Sequence, residues 1–309
     1  MINFFTGNHG NAIHVEDTFE YIFQGLKSVG VDIRYSRDWF MSNGINLVME
    51  GDVHSFSDGM ISVKKENPKT RIYLIVTEIL EQDGIFNSAN TLPEEWDKTQ
   101  PYRNRAKWEY RSKQFHKLVP FVDGFIACAE PLIPGYSNLG PRLHYLPLAP
   151  IPGYRPINFL DSSNRDIDFI FTGTETNYRT GLLNAIKSYG YATVSLDGQT
   201  PSYLRRHYLG RAKISLGMKL SKNTMFMSKQ RAHYHLINRI PHVFERTPDE
   251  GDLHEFMNFS ESGTDFVEAC RYFLNNLGKV ALGKFDEFLV TKKFTYFHVF
   301  QNLKEFLRE

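Results

Sequence analysis

Asp166-Ile-Asp-Phe-Ile-Phe-Thr-Gly-Thr-Glu-Thr-Asn-Tyr-Arg179 reads as a short apolar run, a glycine turn and the start of an amphipathic segment that carries an arginine. Further along, Ala212-Lys-Ile-Ser-Leu-Gly-Met-Lys219 is a second apolar run. Then comes Met225-Phe-Met-Ser-Lys-Gln-Arg-Ala-His-Tyr-His-Leu-Ile237, apolar on one face at helical spacing, followed by a third run, Ile240-Pro-His-Val-Phe-Glu245. Strand, glycine turn, helix, strand, cationic helix, strand is the order in which an α/β domain builds an anion-binding crevice at the carboxyl ends of its strands. The cations at those ends predict a phosphorylated ligand.

The pattern continues toward the N-terminus. Residues 2–6 are β-prone and end at Gly7, where Gly7-Asn-His-Gly-Asn11 has turn chemistry. Phe19, Ile22, Phe23 and Leu26 then recur at helical spacing, and Gly30 closes that segment. Strand-like runs follow at 32–35, 45–49, 71–76, 124–128 and 143–148. Strands alternating with helices predict a mainly parallel sheet covered on both faces. Pro147, Pro150, Pro152 and Pro156, followed by Asp161-Ser-Ser-Asn-Arg165, can form neither a central strand nor a helix interior. The domain boundary is expected there, giving an N-terminal α/β domain over 1–152 and a second over 153–285. Phe288, Leu289, Phe294, Phe297, Phe300, Leu303 and Phe306 then mark 286–309 as a helical segment packing back on the body.

Composition narrows the functional classes. A chain of 309 residues is long enough for two domains with separate cores. Its 41% apolar and 23% charged content is that of an ordinary soluble globular protein. A formal net charge of +1 leaves no global field to draw in nucleic acid or anionic membrane. Cys128 and Cys270 sit among apolar neighbours and read as small core residues of a reducing compartment. No C-x-x-C pattern offers a structural zinc site. The start of the chain lacks a signal-peptide pattern, and no window approaches the ~18 consecutive apolar residues of a spanning helix. The expectation is a cytoplasmic protein with no integral membrane segment. The 14% aromatic share reads first as bulky core packing.

Several residues stand where chemistry is done in such sheets. Gly173 and Thr174 follow the first strand of the second domain, where a glycine lets the backbone turn tightly and present amide N–H groups to a phosphate. Arg179 lies one turn into the next helix, with a fork that suits a diphosphate. Lys219 follows the second strand, Arg231 sits on the partly apolar helix, and Glu245 ends the third strand beside Arg246. In the first domain Glu50 and Glu78 each end an apolar strand, where a carboxylate can take a proton from an attacking hydroxyl. The alternative is a carboxylate stabilised by the dipole of a following helix. Gly7 and His9 lie in the turn after the first strand, a ligand-facing position on the acceptor side. His233 and His235 fall on different faces of a helix, so no metal pair is expected. Nothing matches a P-loop, an H-E-x-x-H site or a G-x-S-x-G elbow. Residues 98–117 interleave Lys98, Arg103, Arg105, Lys107, Arg111, Lys113 and Lys117 with Tyr102, Trp108, Tyr110 and Phe115. This pattern suits a polyanionic backbone, though a solvated amphipathic helix is commoner and the preceding loop, 83–97, is acidic.

Taken together, segment 166–179, the strand at 213–219 and the block 231–245 resemble GT-B glycosyltransferases. The likeness is to the spore-maturation (CgeB-like) group and, more distantly, to the phage DNA β-glucosyltransferase. It is best over about 80 residues of the second half. The resemblance implies two Rossmann-like domains facing across a cleft, with a nucleotide-sugar donor held mainly by the C-terminal one. It implies a metal-independent transfer, without a cofactor, to a glycan, a lipid or DNA. Carried over by position, Gly173, Thr174 and Arg179 become the diphosphate turn and helix, and Arg231 a donor-binding arginine. Glu78, in Arg71-Ile-Tyr-Leu-Ile-Val-Thr-Glu78, inherits the role of general base. The chain departs from the family at Tyr234, where a glutamate that holds the donor ribose is usual. That departure leaves room for altered ribose recognition, for an unusual donor, or for a scaffold that binds nucleotide without turnover. Donor, acceptor, stereochemical outcome and oligomeric state are not encoded in any of these motifs.

Overall fold

The apolar runs of the first half assemble into one parallel sheet. Its strands are β1 (Ile2–Phe5), β2 (Ile33–Ser36), β3 (Ile45–Met49), β4 (Arg71–Val76), β5 (Gly124–Ala127) and β6 (Arg142–Tyr145), in the order β2-β1-β3-β4-β5-β6. The computed structural model describes residues 1–7, 16–88, 105–151, 154, 156–198, 200–220, 222, 224, 227–248, 251–260, 263–277, 282–292 and 295–309. Strands β1, β3 and β5 are buried along their whole length, as strands covered on both faces must be. Helices α1 (Glu16–Ser28), α2 (Val53–Glu66), α3 (Arg105–Leu118) and the short α4 (Ile133–Tyr136) connect them. The expected strand at 143–148 stops at Tyr145. Pro147 lacks the N–H that a further ladder bond needs.

The second sheet contains β7 (Ile167–Thr172), β8 (Thr193–Leu196), β9 (Ala212–Gly217), β10 (His242–Glu245) and β11 (Phe259–Ser260), ordered β11-β10-β9-β7-β8. Its helices are α5 (Asn177–Ser188), α6 (Ser202–Arg211), α7 (Lys229–Ile237) and α8 (Gly263–Asn275). Thr176 caps α5, its hydroxyl accepting from the Arg179 N–H at 3.3 Å. In both sheets the first strand lies between the second and third, so the strand order reverses beside it. Ligands of open α/β sheets bind in the crevice at that switch point.

The tail is two helices, and they serve different lobes. Helix α9 (Leu282–Lys292) buries Phe285 and Phe288, the latter 5.3 Å from the Phe256 ring of the second lobe. Helix α10 (Thr295–Arg308) crosses to the first lobe. There Phe300 lies over Gly25 so closely that a Cβ at 25 would stand 2.0 Å from it. Arg71 Nη1 donates to the Arg308 carbonyl at 2.7 Å. One apolar cluster runs through both lobes, joining Ile22 and Phe300 to Phe244 and Phe256. Cys128 and Cys270 are free and buried.

The carboxyl edges of the two sheets face each other. Lys229, opening α7, donates to Glu130 just after β5 at 2.9 Å. Ser202, opening α6, donates to Glu16 at 2.9 Å, and Arg205 reaches Asp17 at 3.0 Å. Chain leaving the strand ends of one lobe thus touches chain leaving those of the other, and a crevice lies between. Among the described residues no helix is long and apolar enough to cross a membrane.

Candidate functional site

At the end of β7, Gly173 has φ +143°, a backbone few side chains tolerate. A Cβ there would come 2.7 Å from Arg231 Nη2. Arg179 and Arg231 flank the same aromatic ring, their guanidinium carbons 5.0 and 5.5 Å from the centre of Phe171. The sequence expectation that these two cations converge therefore holds in space, but they do different work. Arg179 is buried and donates to three carbonyls, Lys219 from Nε, Thr174 from Nη1 and Met218 from Nη2, at 2.7 to 2.8 Å. It braces the glycine turn against the end of β9. Burial, followed by the charge of Arg231, pushes its guanidinium down to about 9, so it is still a cation at neutral pH.

Arg231 has no such occupation. Among the described residues no hydrogen bond or salt bridge to its guanidinium is found, and its aromatic contact is with Phe171. Burial and then Arg205 push it down to about 10, with Asp17 opposing. The group is half-buried, and it faces the glycine turn without a paired partner among the described residues. Glu245 is buried and not a surface partner of Arg246. One of its oxygens accepts from the Lys219 N–H at 3.0 Å and the other from the Tyr178 hydroxyl. It holds the loop after β9 in place.

In the first lobe the two strand-end carboxylates also separate in role. Glu50 is buried: Oε1 accepts from Arg111 Nη2 at 2.7 Å, and Oε2 from the Thr77 N–H, the Thr77 hydroxyl and the Glu78 N–H at 3.1 to 3.3 Å. Burial pushes its carboxyl up to about 7 against the opposing pull of Arg111. Asp52, two residues on, is also pushed up to about 7, by burial and then by Glu50. Glu78 is the carboxylate that meets solvent, with 29% of its side chain exposed. Its Oε2 accepts from Asn87 Nδ2 at 2.8 Å and its Oε1 lies 3.5 Å from Arg111 Nη1. Gly7, at φ +64°, packs against this cluster, for a Cβ there would stand 3.0 Å from Asp52 Oδ1. His9 lies outside the described residues.

Asn87 was not singled out from the sequence, and Arg111 was read only as one of the basic residues of 98–117. Arg111 belongs to the basic stretch 98–117, whose described part is α3, and it points inward with Trp108, Ser112, Phe115 and Leu118. That helical spacing was the available signal: an arginine on the apolar face of its helix needs a carboxylate partner. Of its neighbours, Arg105 pairs with Glu109 and Lys117 with Asp58. Tyr234, where the resemblance led us to expect a ribose-binding glutamate, is buried with its ring 6.1 Å from that of Tyr154. Among the described residues no group of three or more His, Cys, Asp or Glu is arranged to hold a metal ion.

No family model matches the chain, and no curated protein sequence matches it. Solved structures match in shape. The crystal structure of TarM superposes with a TM-score of 0.50 at 8% identity, covering 87% of this chain and 55% of that one. The structure of accessory secretory proteins 1, 2 and 3 of Streptococcus pneumoniae gives 0.43 at 10% identity, over 94% of this chain and 57% of that one. UDP-GlcNAc 2-epimerase of Methanocaldococcus jannaschii gives 0.39 at 9%, over 89% and 92%. The chain thus spans little more than half the length of the first two. The fold is α/β with two Rossmann-like domains facing across a cleft, the GT-B arrangement.

Proposed function

We propose that this protein is a GT-B glycosyltransferase that moves a sugar from a nucleotide-sugar donor to a hydroxyl acceptor, related to the spore-maturation (CgeB-like) group. The observation that supports it best is the half-buried Arg231 guanidinium beside the Gly173 turn, with no paired partner among the described residues, next to the buried Arg179. Two neighbouring cations that repel each other, one buried and one half-buried, are stabilised by an anion beside them, and a diphosphate supplies paired charge of the right sign. The donor diphosphate would lie on the 173–174 turn at the N-terminus of α5, whose dipole favours an anion. Arg231, and Lys219 at the rim, would neutralise the charge that grows on the leaving diphosphate as the glycosidic bond breaks. Arg179 keeps the turn in shape. Across the cleft Glu78, exposed and oriented, would take the proton of the attacking hydroxyl in an inverting transfer.

A thermal-shift panel of nucleotide sugars, nucleoside diphosphates and plain nucleosides tests this. A ligand bound only by the folded chain at about a hundred times its Kd adds about 2.7 kcal/mol. Diphosphates are expected to raise the melting temperature and nucleosides to leave it unchanged. A panel with no shift at all contradicts the proposal. Tyr234 favours a second reading, a nucleotide-binding scaffold without turnover. Release of nucleoside diphosphate from any sugar donor separates the two.

A further inference from the structure

We propose that Asn87 and Arg111 are positioning residues that clamp the Glu78 carboxylate from its two sides and so fix the lone pair offered to the acceptor hydroxyl. The inference rests on the reading of Glu78 as the general base. A carboxylate at the end of a flexible side chain sweeps through many orientations, and only one places an oxygen on the line of the incoming O–H. Here the orientation is held on both sides. Asn87 Nδ2 donates to Oε2 at 2.8 Å, while Arg111 Nη1 stands 3.5 Å from Oε1. The backbone of Glu78 is held as well, its N–H donating to Glu50 at 3.1 Å and its carbonyl accepting from the Tyr136 hydroxyl at 2.8 Å.

Both clamping residues are kept in place at a local cost. Asn87 has φ +53°, where glycine would be the easier residue. Its main-chain N–H donates to the Ile79 carbonyl at 2.8 Å and its Oδ1 accepts from the Ile79 N–H at 3.2 Å, closing the loop across the Leu80–Phe86 bridge. The remaining end of its amide is the one turned to Glu78. Arg111 lies with its guanidinium carbon 4.6 Å from the Trp108 ring centre and 5.8 Å from that of Phe86, which fixes the plane of its fork. Its Nε is buried with no hydrogen-bond partner. The fork gives up that bond and spans Glu50 and Glu78 instead. One cation is thus shared between two carboxylates.

Asn87→Gly is the cleanest test, because glycine accepts the same backbone while the amide is lost. With the donor identified by the panel above, kcat is expected to fall about tenfold to a hundredfold, as for a misplaced reacting group. The donor KM should stay within about twofold, so that the loss falls on kcat alone. Arg111→Lys keeps the charge and loses the fork, and should lower kcat in the same way. Arg111→Met leaves Glu50 buried without its partner, so it is paired with Glu50→Gln to preserve the fold. Active wild type beside Asn87→Gly and Arg111→Lys variants with unchanged kcat would overturn the clamp alone. Wild type that turns over no donor overturns the reading of Glu78 as base, and the clamp with it.

Discussion

Replacing Arg231 by methionine separates a ligand-binding cation from a structural one. The guanidinium is pushed down from its ordinary value to about 10 by burial and by Arg205. A base whose folded value lies below its unfolded one costs stability wherever it is charged: the cost is full below about 10 and fades as pH rises toward the unfolded value. At about 1.36 kcal/mol per pKa unit the upper bound is ~3 kcal/mol, and water reaching the half-buried group reduces it. Arg231→Met is therefore expected to be as stable as the parent or more so, by about 1 to 2 kcal/mol. The same substitution should weaken nucleoside diphosphate binding. Charge-assisted hydrogen bonds of about 1.5 to 3 kcal/mol correspond to roughly tenfold to a hundredfold in Kd. Urea melts of both proteins without ligand, with calorimetric titration of a nucleoside diphosphate, measure the two effects separately. A variant that is destabilised by more than about 1 kcal/mol and binds the nucleotide as tightly as the parent would show that Arg231 is a structural cation.

Other outcomes follow from the same geometry. Glu78→Gln should lower transfer by about a hundredfold or more while nucleotide binding and melting temperature stay near those of the parent; full activity in the variant excludes Glu78 as base. Asp52 has a folded value of about 7 against an ordinary 3.8. An acid raised in this way stabilises the fold below its unfolded value, and that stability is lost as pH rises through about 7. Melts from about pH 5 to about pH 8 should show stability falling, and Asp52→Asn should flatten the fall. Gly25→Ala forces a methyl into Phe300 at the α1–α10 contact, and overpacking of this kind costs about 1 to 3 kcal/mol in chemical melts.

The strands that build the crevice could be read because they are fully buried, and burial on both faces writes continuous apolar runs such as Ile72–Val76 and Phe169–Phe171. Strand β8 was missed because Thr193-Val-Ser-Leu196 is a half-buried edge strand with no such run. Strand β11 is two residues long and has no pattern to find. The site was legible in part. Glycine after β7 and arginine on α7 mark their positions by chain order, and the structure brings them together. What could not be read was which cation was already engaged. Arg179 loses its freedom to three carbonyls, two of them about forty residues away, and carbonyls leave no trace in side-chain spelling. Glu50 and Glu78 look alike as strand-ending acids, and their separation into a buried anchor and a partly exposed carboxylate depends on Arg111, from a helix that follows both. Asn87 sits in an acidic loop whose turn geometry, rather than its composition, aims the amide.

A crystal structure of the protein with a nucleoside diphosphate tests the account at its foundation. The two phosphates should lie on the Gly173–Thr174 turn within hydrogen-bond reach of the Arg231 guanidinium, with Arg179 still bound to its carbonyls. A nucleotide seated elsewhere, or an Arg231 that stays turned from a bound diphosphate, would contradict it.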